Sequence, residues 1–194
     1  MKRDLVMKNF QSSFLSCEHD TETILRKLFV ESKPYCDELK RLLVINTKDC
    51  LDNLNNEVYN NKIKEMTVGK LIDEGYIKIV PKIRFPENEE IKSYIIISYD
   101  NFTPNENNPQ FRDCMVHFDI LCHTDYWNIG DYRLRPLKIA GYIDGILNNT
   151  KLSGIGTFQF VGCNELILNE ELSGYSLMYA AIHGSDDKIP GLND

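Results

Sequence analysis

Asp113-Cys114-Met115-Val116-His117-Phe118-Asp119-Ile120-Leu121-Cys122-His123 is the stretch that decides the fold. Val116, Phe118, Ile120 and Cys122 fall on alternate positions, the period of a strand with one apolar face, and His117, Asp119 and Leu121 take the other face. A polar segment, 123–134, follows. Pro136 then opens a helix in which Ile139, Tyr142, Ile143, Ile146 and Leu147 form one stripe. Gly141 and Gly145 sit on one side of that helix, where a strand or another subunit can approach closely. Ser153-Gly154-Ile155-Gly156 reads as a turn, and 158–168 and 174–183 read as paired strands joined at 169–173.

Upstream, Ser93 to Tyr99 holds three consecutive isoleucines, a β-branched run that predicts a strand covered on both faces. Residues 76–83 read as a further strand, with Pro81 marking a sheet edge or bulge. Residues 100–113, with Pro104, Pro109 and no period, predict a long loop. The first third is helical. Asp20 and Thr21 are N-cap types ahead of a stripe of Ile24, Leu25, Leu28 and Phe29. Pro34 is placed as the first residue of a second helix bearing Leu39, Leu42 and Leu43. Residues 46–64 predict a weak helix or an arm with Leu51, Leu54 and Val58 at helical spacing. Thr67 caps a short helix carrying Val68, Leu71 and Ile72, which Gly75 ends.

The expected fold class is therefore α+β: a mixed or antiparallel sheet of about five strands, one long helix packed on it and a helical N-terminal extension. The expected division is 1–66 as extension or arm, 67–184 as the α+β domain, and 185–194 as a loose tail. With 194 residues, 42% of them hydrophobic, the chain fits one large domain better than two. Lys plus Arg is 22 against 29 Asp plus Glu, a net charge of -7, which gives no general attraction to phosphate backbones or anionic membranes. No apolar run is long enough to span a bilayer, and no leader is expected at the N-terminus. The six cysteines contain no C-x-x-C pair, so reduced thiols in a cytoplasm are expected rather than a zinc ribbon or a redox motif.

Three groups invite chemistry. His117, Asp119 and His123 could hold a divalent metal for a small hydrolase. Leu121 lies between them on the same face, however, and one strand supplies all three, so a polar sheet face and no metal are expected. Cys114, Cys122 and Cys163 lack a nucleophile elbow and are expected to be buried thiols. The carboxylates Glu87, Glu89, Glu90, Glu165, Glu170 and Glu171 show no acid–base pattern. The segment 125–135 differs, since Tyr126, Trp127, Tyr132, Arg133 and Arg135 are types enriched at protein interfaces. It is the expected contact loop, toward either a ring neighbour or, in an adaptor, one protein partner; the alternative reading is that Trp127 plugs the end of the core, which would not by itself call for two arginines beside it.

A strand centred on Phe118-Asp119-Ile120, a loop, a helix opening with Arg135-Pro136-Leu137 and closing near Asn148, and two strands ending in Tyr179-Ala180-Ala181-Ile182-His183 resemble a known pattern. It is that of the tail-terminator, tail-completion and minor-capsid proteins of tailed bacteriophages. The resemblance lies in element order and hydrophobic pattern. It implies a structural ring subunit of the neck or tail rather than an enzyme, with no cofactor. The implied location is the virion, after assembly in the host cytoplasm. Its partners would be itself in a closed ring of about six or twelve copies, a portal or adaptor ring, and tail proteins. Genomic DNA would pass through without specific binding, and no membrane is involved.

Overall fold

The computed structural model describes residues 17–52, 54–80, 92–106, 112–152 and 156–183. Pro81 and Ile83, the acidic cluster Glu87 to Glu90, Pro109, the turn at 153–155 and the tail from 184 lie outside the described residues. Five strands form one mixed sheet. β2 (Ser93–Pro104), β3 (Arg112–His123), β6 (Gln159–Ile167) and β7 (Leu172–His183) are its long members, and β1 (Ile77–Lys78) is a short edge. The order is β1-β2-β3-β7-β6, with β1 parallel to β2 and every other pair antiparallel. β4 (Lys151–Leu152) and β5 (Gly156–Thr157) make a separate two-stranded hairpin.

The helices are α1 (Cys17–Arg26, continued by a π turn over Lys27–Glu31), α2 (Tyr35–Val44), α3 (Glu57–Glu65), α4 (Val68–Asp73) and α5 (Arg135–Leu147). Among the described residues, none is long and apolar enough to cross a membrane. α5 lies on the face of the sheet that carries Val116, Phe118, Ile120 and Cys122, all buried there with Ile139, Ile143 and Leu147. Ile24, Leu28, Leu39, Leu42, Ile63 and Leu71 belong to the same hydrophobic cluster, so the helices before the sheet share its core. Tyr179 of β7 ties the layers together, because its hydroxyl donates to Asp144 of α5 at 2.8 Å. Burial, and then that bond, raise its pKa.

Several elements differ from the sequence reading for identifiable reasons. α1 already includes Cys17, so Asp20 and Thr21 are buried inside it rather than capping it. Thr21 instead shares a hydrogen bond with Tyr99 of β2 at 2.8 Å. α2 starts at Tyr35, directly after Pro34. α3 is short, held at its start by the Asn56 side chain accepting from the amides of Val58 and Tyr59. Its buried residue is Ile63, while Leu54 and Val58 are exposed. The loop expected from 100 is strand to Pro104, because a register shift between Asp100 and Thr103 absorbs the irregularity. Asn101, with φ 53°, sits within that shift; the left-handed region suits asparagine. Gly75 ends α4 with φ 78°, as expected.

β3 and β7 approach very closely at Gly174. A Cβ there would lie 1.9 Å from the carbonyl oxygen of Ile120, so only glycine fits.

Candidate interaction surface

The segment after β3 is built from the inside. A 3-10 turn over Thr124–Tyr126 leads to Trp127, whose indole N–H is shared between the carbonyls of Cys122 (3.2 Å) and Ser173 (3.3 Å). Its ring packs against Tyr175 at 6.3 Å. Trp127 therefore pins the loop to the ends of β3 and β7. The Arg135 amide then donates to the Trp127 carbonyl (2.6 Å) and the Ile129 amide to the Arg133 carbonyl (2.8 Å). A bridge between Asn128 and Leu134 closes the neck of a small tip. At that tip Gly130 has φ 75°, and a Cβ on it would lie 2.6 Å from the Arg133 guanidinium.

Arg135 is 0% exposed. Its Nε donates to the Tyr126 carbonyl (2.9 Å), Nη1 to Leu42 (2.5 Å) and Ile45 (3.0 Å), and Nη2 to Thr47 (2.7 Å). The cation thus binds carbonyls at and just beyond the C-terminus of α2, where the helix dipole is negative and the last carbonyls lack intrahelical partners. Arg133 is spent differently. Its Nη2 pairs with Asp52 at 2.5 Å, which joins the tip to the turn before α3, and that bond raises its pKa. Of the five interface residues expected from the sequence, Arg135 is wholly internal, Trp127 and Tyr126 are half-buried, and Arg133 is partly occupied. Tyr132 is 99% exposed at the summit. Composition showed the residue types and allowed an internal role for Trp127, but not that Arg133 and Arg135 are engaged internally as well. One signal was present: an arginine in the first turn of a helix opposes the dipole, so it needs acceptors elsewhere.

A second feature is an apolar groove of about 850 Å³ between α1, α4 and the end of β1, lined by Leu25, Val30, Val68, Ile72, Ile79 and Tyr99. Glu22 and Arg26 stand at its margin. Val30, Ile72 and Ile79 are exposed large hydrophobics.

His117, Asp119 and His123 are not brought together. His117 Nε2 lies 3.2 Å from Asp100 Oδ2, Asp119 accepts from the Ser176 hydroxyl at 2.5 Å, and His123 Nδ1 accepts from the Asp125 amide at 3.3 Å. Each of the three sits beside a different neighbour, on β2, on β7 and in the turn after β3 respectively. Among the described residues, no group of three or more His, Cys, Asp or Glu is arranged to hold a metal. Cys114 and Cys122 are buried as expected, and burial pushes the Cys122 thiol up to about 12, far from a thiolate at neutral pH. Cys163 corrects the expectation for it: this thiol is exposed on β6.

A model of the YomW family matches residues 37–181, three quarters of the chain and nearly all of the core just described. The chain belongs to the YomW family. That family is phage-derived, of the Bacillus SPbeta-like kind, which points to a phage origin for the chain. No curated protein matches it. The YomW match runs from within α2 to within two residues of the end of β7, and it takes in the braced tip, Asp52 and the Arg135 carbonyl cage.

Proposed function

We propose that this chain is a structural virion protein. It is a ring-forming subunit of a phage neck or tail terminator that joins portal to tail and surrounds the DNA channel. Membership of a phage-derived family supports the setting. The observation that carries the proposal is the braced tip: Trp127, Arg133 and Arg135 fix the loop internally so that a bare Tyr132 stands out from a rigid base. A pre-ordered aromatic costs little entropy to bind, which is how interface anchors work. Head-to-tail rings need two different patches on each subunit. The tip is one, and the apolar groove by α1 and α4 is the other. The job is geometric, with no bond-making and no cofactor. A net charge of -7 suits a passage along which DNA slides without adhering.

Virions purified on a density gradient test this directly. The chain should co-sediment with them at a fixed copy number per particle, and a Tyr132→Ser phage should yield heads and tails that fail to join. A chain abundant in the lysate yet missing from the particles would overturn the proposal.

A further inference from the structure

Tyr132 and the apolar groove stand too far apart on one subunit to meet within it. Tyr99, on the groove wall, lies six residues along β2 from Ser93, about 20 Å at about 3.3 Å per residue. Ser93 faces Cys122, whose carbonyl holds the Trp127 indole at the root of the tip. Beyond the Asn128–Leu134 bridge the tip is residues 129–133, which out and back reach about 8 Å plus one side chain. The two features can therefore join only between copies.

The groove suits a tyrosine in particular. Leu25, Val68, Ile72 and Ile79 wall a volume of about 850 Å³, ample for a phenol ring. Once covered, the ring's hydroxyl needs a hydrogen-bond partner. Thr21 and Tyr99 supply one at the groove, where their oxygens lie 2.8 Å apart, since a hydroxyl oxygen accepts from more than one donor. The rims match as well. Asp131 and Arg133 flank Tyr132, and Arg133 stays 41% exposed outside its pair with Asp52. Glu22 and Arg26 flank the groove, with Arg26 60% exposed and loosely tied to Glu31 at 3.7 Å. Asp131 against Arg26 and Arg133 against Glu22 set opposite charges together at both rims. The reversed orientation sets like charges together at both, so one orientation is selected.

We propose, resting on the ring reading above, that Tyr132 of each copy seats in the groove of the next. Its ring lies among Leu25, Val68, Ile72 and Ile79, its hydroxyl donates to the Thr21–Tyr99 pair, and Asp131 on Arg26 sets the orientation. The contact is heterologous: every subunit spends one tip and one groove, and the rotation between them decides whether the run of copies closes.

The test mixes two full-length variants in analytical ultracentrifugation. Tyr132→Ser lacks the plug and keeps the groove. Ile72→Glu, at an exposed position, blocks the groove and keeps the tip, and Val30→Glu is an independent block of the same kind. All three should keep the wild-type circular dichroism spectrum. Each alone should weaken assembly about a hundredfold, as loss of an interface anchor does. Mixed, Tyr132→Ser and Ile72→Glu should form a one-to-one pair of wild-type affinity that grows no further, because one intact tip and one intact groove remain. Arg26→Glu and Asp131→Lys should each weaken assembly about fivefold and, combined in one chain, restore it. Both groove variants assembling like wild type, a mixture that never pairs, or charge reversals that do not compensate would each overturn the proposal. Annuli that persist in both groove variants leave the ring reading standing without this contact. One-to-one pairs from the mixture, with open filaments in place of annuli from wild type, keep this contact and sink the ring. Wild type that stays single at all concentrations overturns both.

Discussion

Replacing Arg135 is the sharpest perturbation available. Its guanidinium is fully buried and donates to four main-chain carbonyls, those of Tyr126, Leu42, Ile45 and Thr47. Arg135→Met keeps most of the volume but strands all four acceptors. At roughly 1 kcal/mol for each stranded group, the loss is about 4 kcal/mol, in line with what removing a buried charge from its partners costs. For a chain of this length that lowers Tm by about 10 °C. Urea titration followed by far-UV circular dichroism, and in parallel by the fluorescence of the single tryptophan beside the cage, gives the free energy directly. Arg135→Lys should recover only part of the loss, because one ammonium cannot reach carbonyls arranged around a planar fork. A loss under 1 kcal/mol for Arg135→Met, or full recovery with lysine, would refute the assignment of Arg135 as the cap of α2.

Four further outcomes follow from the same contacts. Gly174→Ala forces a Cβ to within 1.9 Å of the Ile120 carbonyl oxygen, so it should cost about 3 kcal/mol in urea titration and lower soluble yield. Gly141→Ala meets nothing within 4 Å on exposed helix and should instead raise stability by about 1 kcal/mol. Stability should fall in alkali. The thiol of Cys122 and the hydroxyls of Tyr142 and Tyr179 have folded pKa values raised chiefly by burial, so their contribution is intact below about pH 9 and fades as pH climbs through the raised values. Tyr179→Phe should flatten that decline while lowering neutral-pH stability. Asp52→Ala removes an exposed ion pair and should leave the urea midpoint nearly unchanged, while the Arg133 resonance in NMR becomes mobile.

Much of the fold was written locally. The alternation in β3 and the stripe of α5 each depend on one element burying one face, so period alone located them, and the paired strands β6 and β7 followed from their turn. What sequence could not give was context. Asn- and Pro-rich residues after 99 looked like a loop because the pairing that keeps β2 extended to Pro104 comes from β3, beyond local propensity. Asp20 and Thr21 are cap residues by chemistry but sit within a helix because Tyr99, far along the chain, takes the Thr21 hydroxyl. The loop from 125 to 135 stood out by composition, yet its division into buried anchors and an exposed Tyr132 rests on carbonyls from α2 that no spacing reveals.

The central claim is that copies of this chain assemble through Tyr132 into a closed ring. Native mass spectrometry of the purified full chain, with class averages from negative-stain micrographs of the same sample, addresses it in one step. The account predicts a discrete annular species with a central hole that is lost in Tyr132→Ser. A wild-type chain that never exceeds a pair, or annuli unaffected by that substitution, would contradict it.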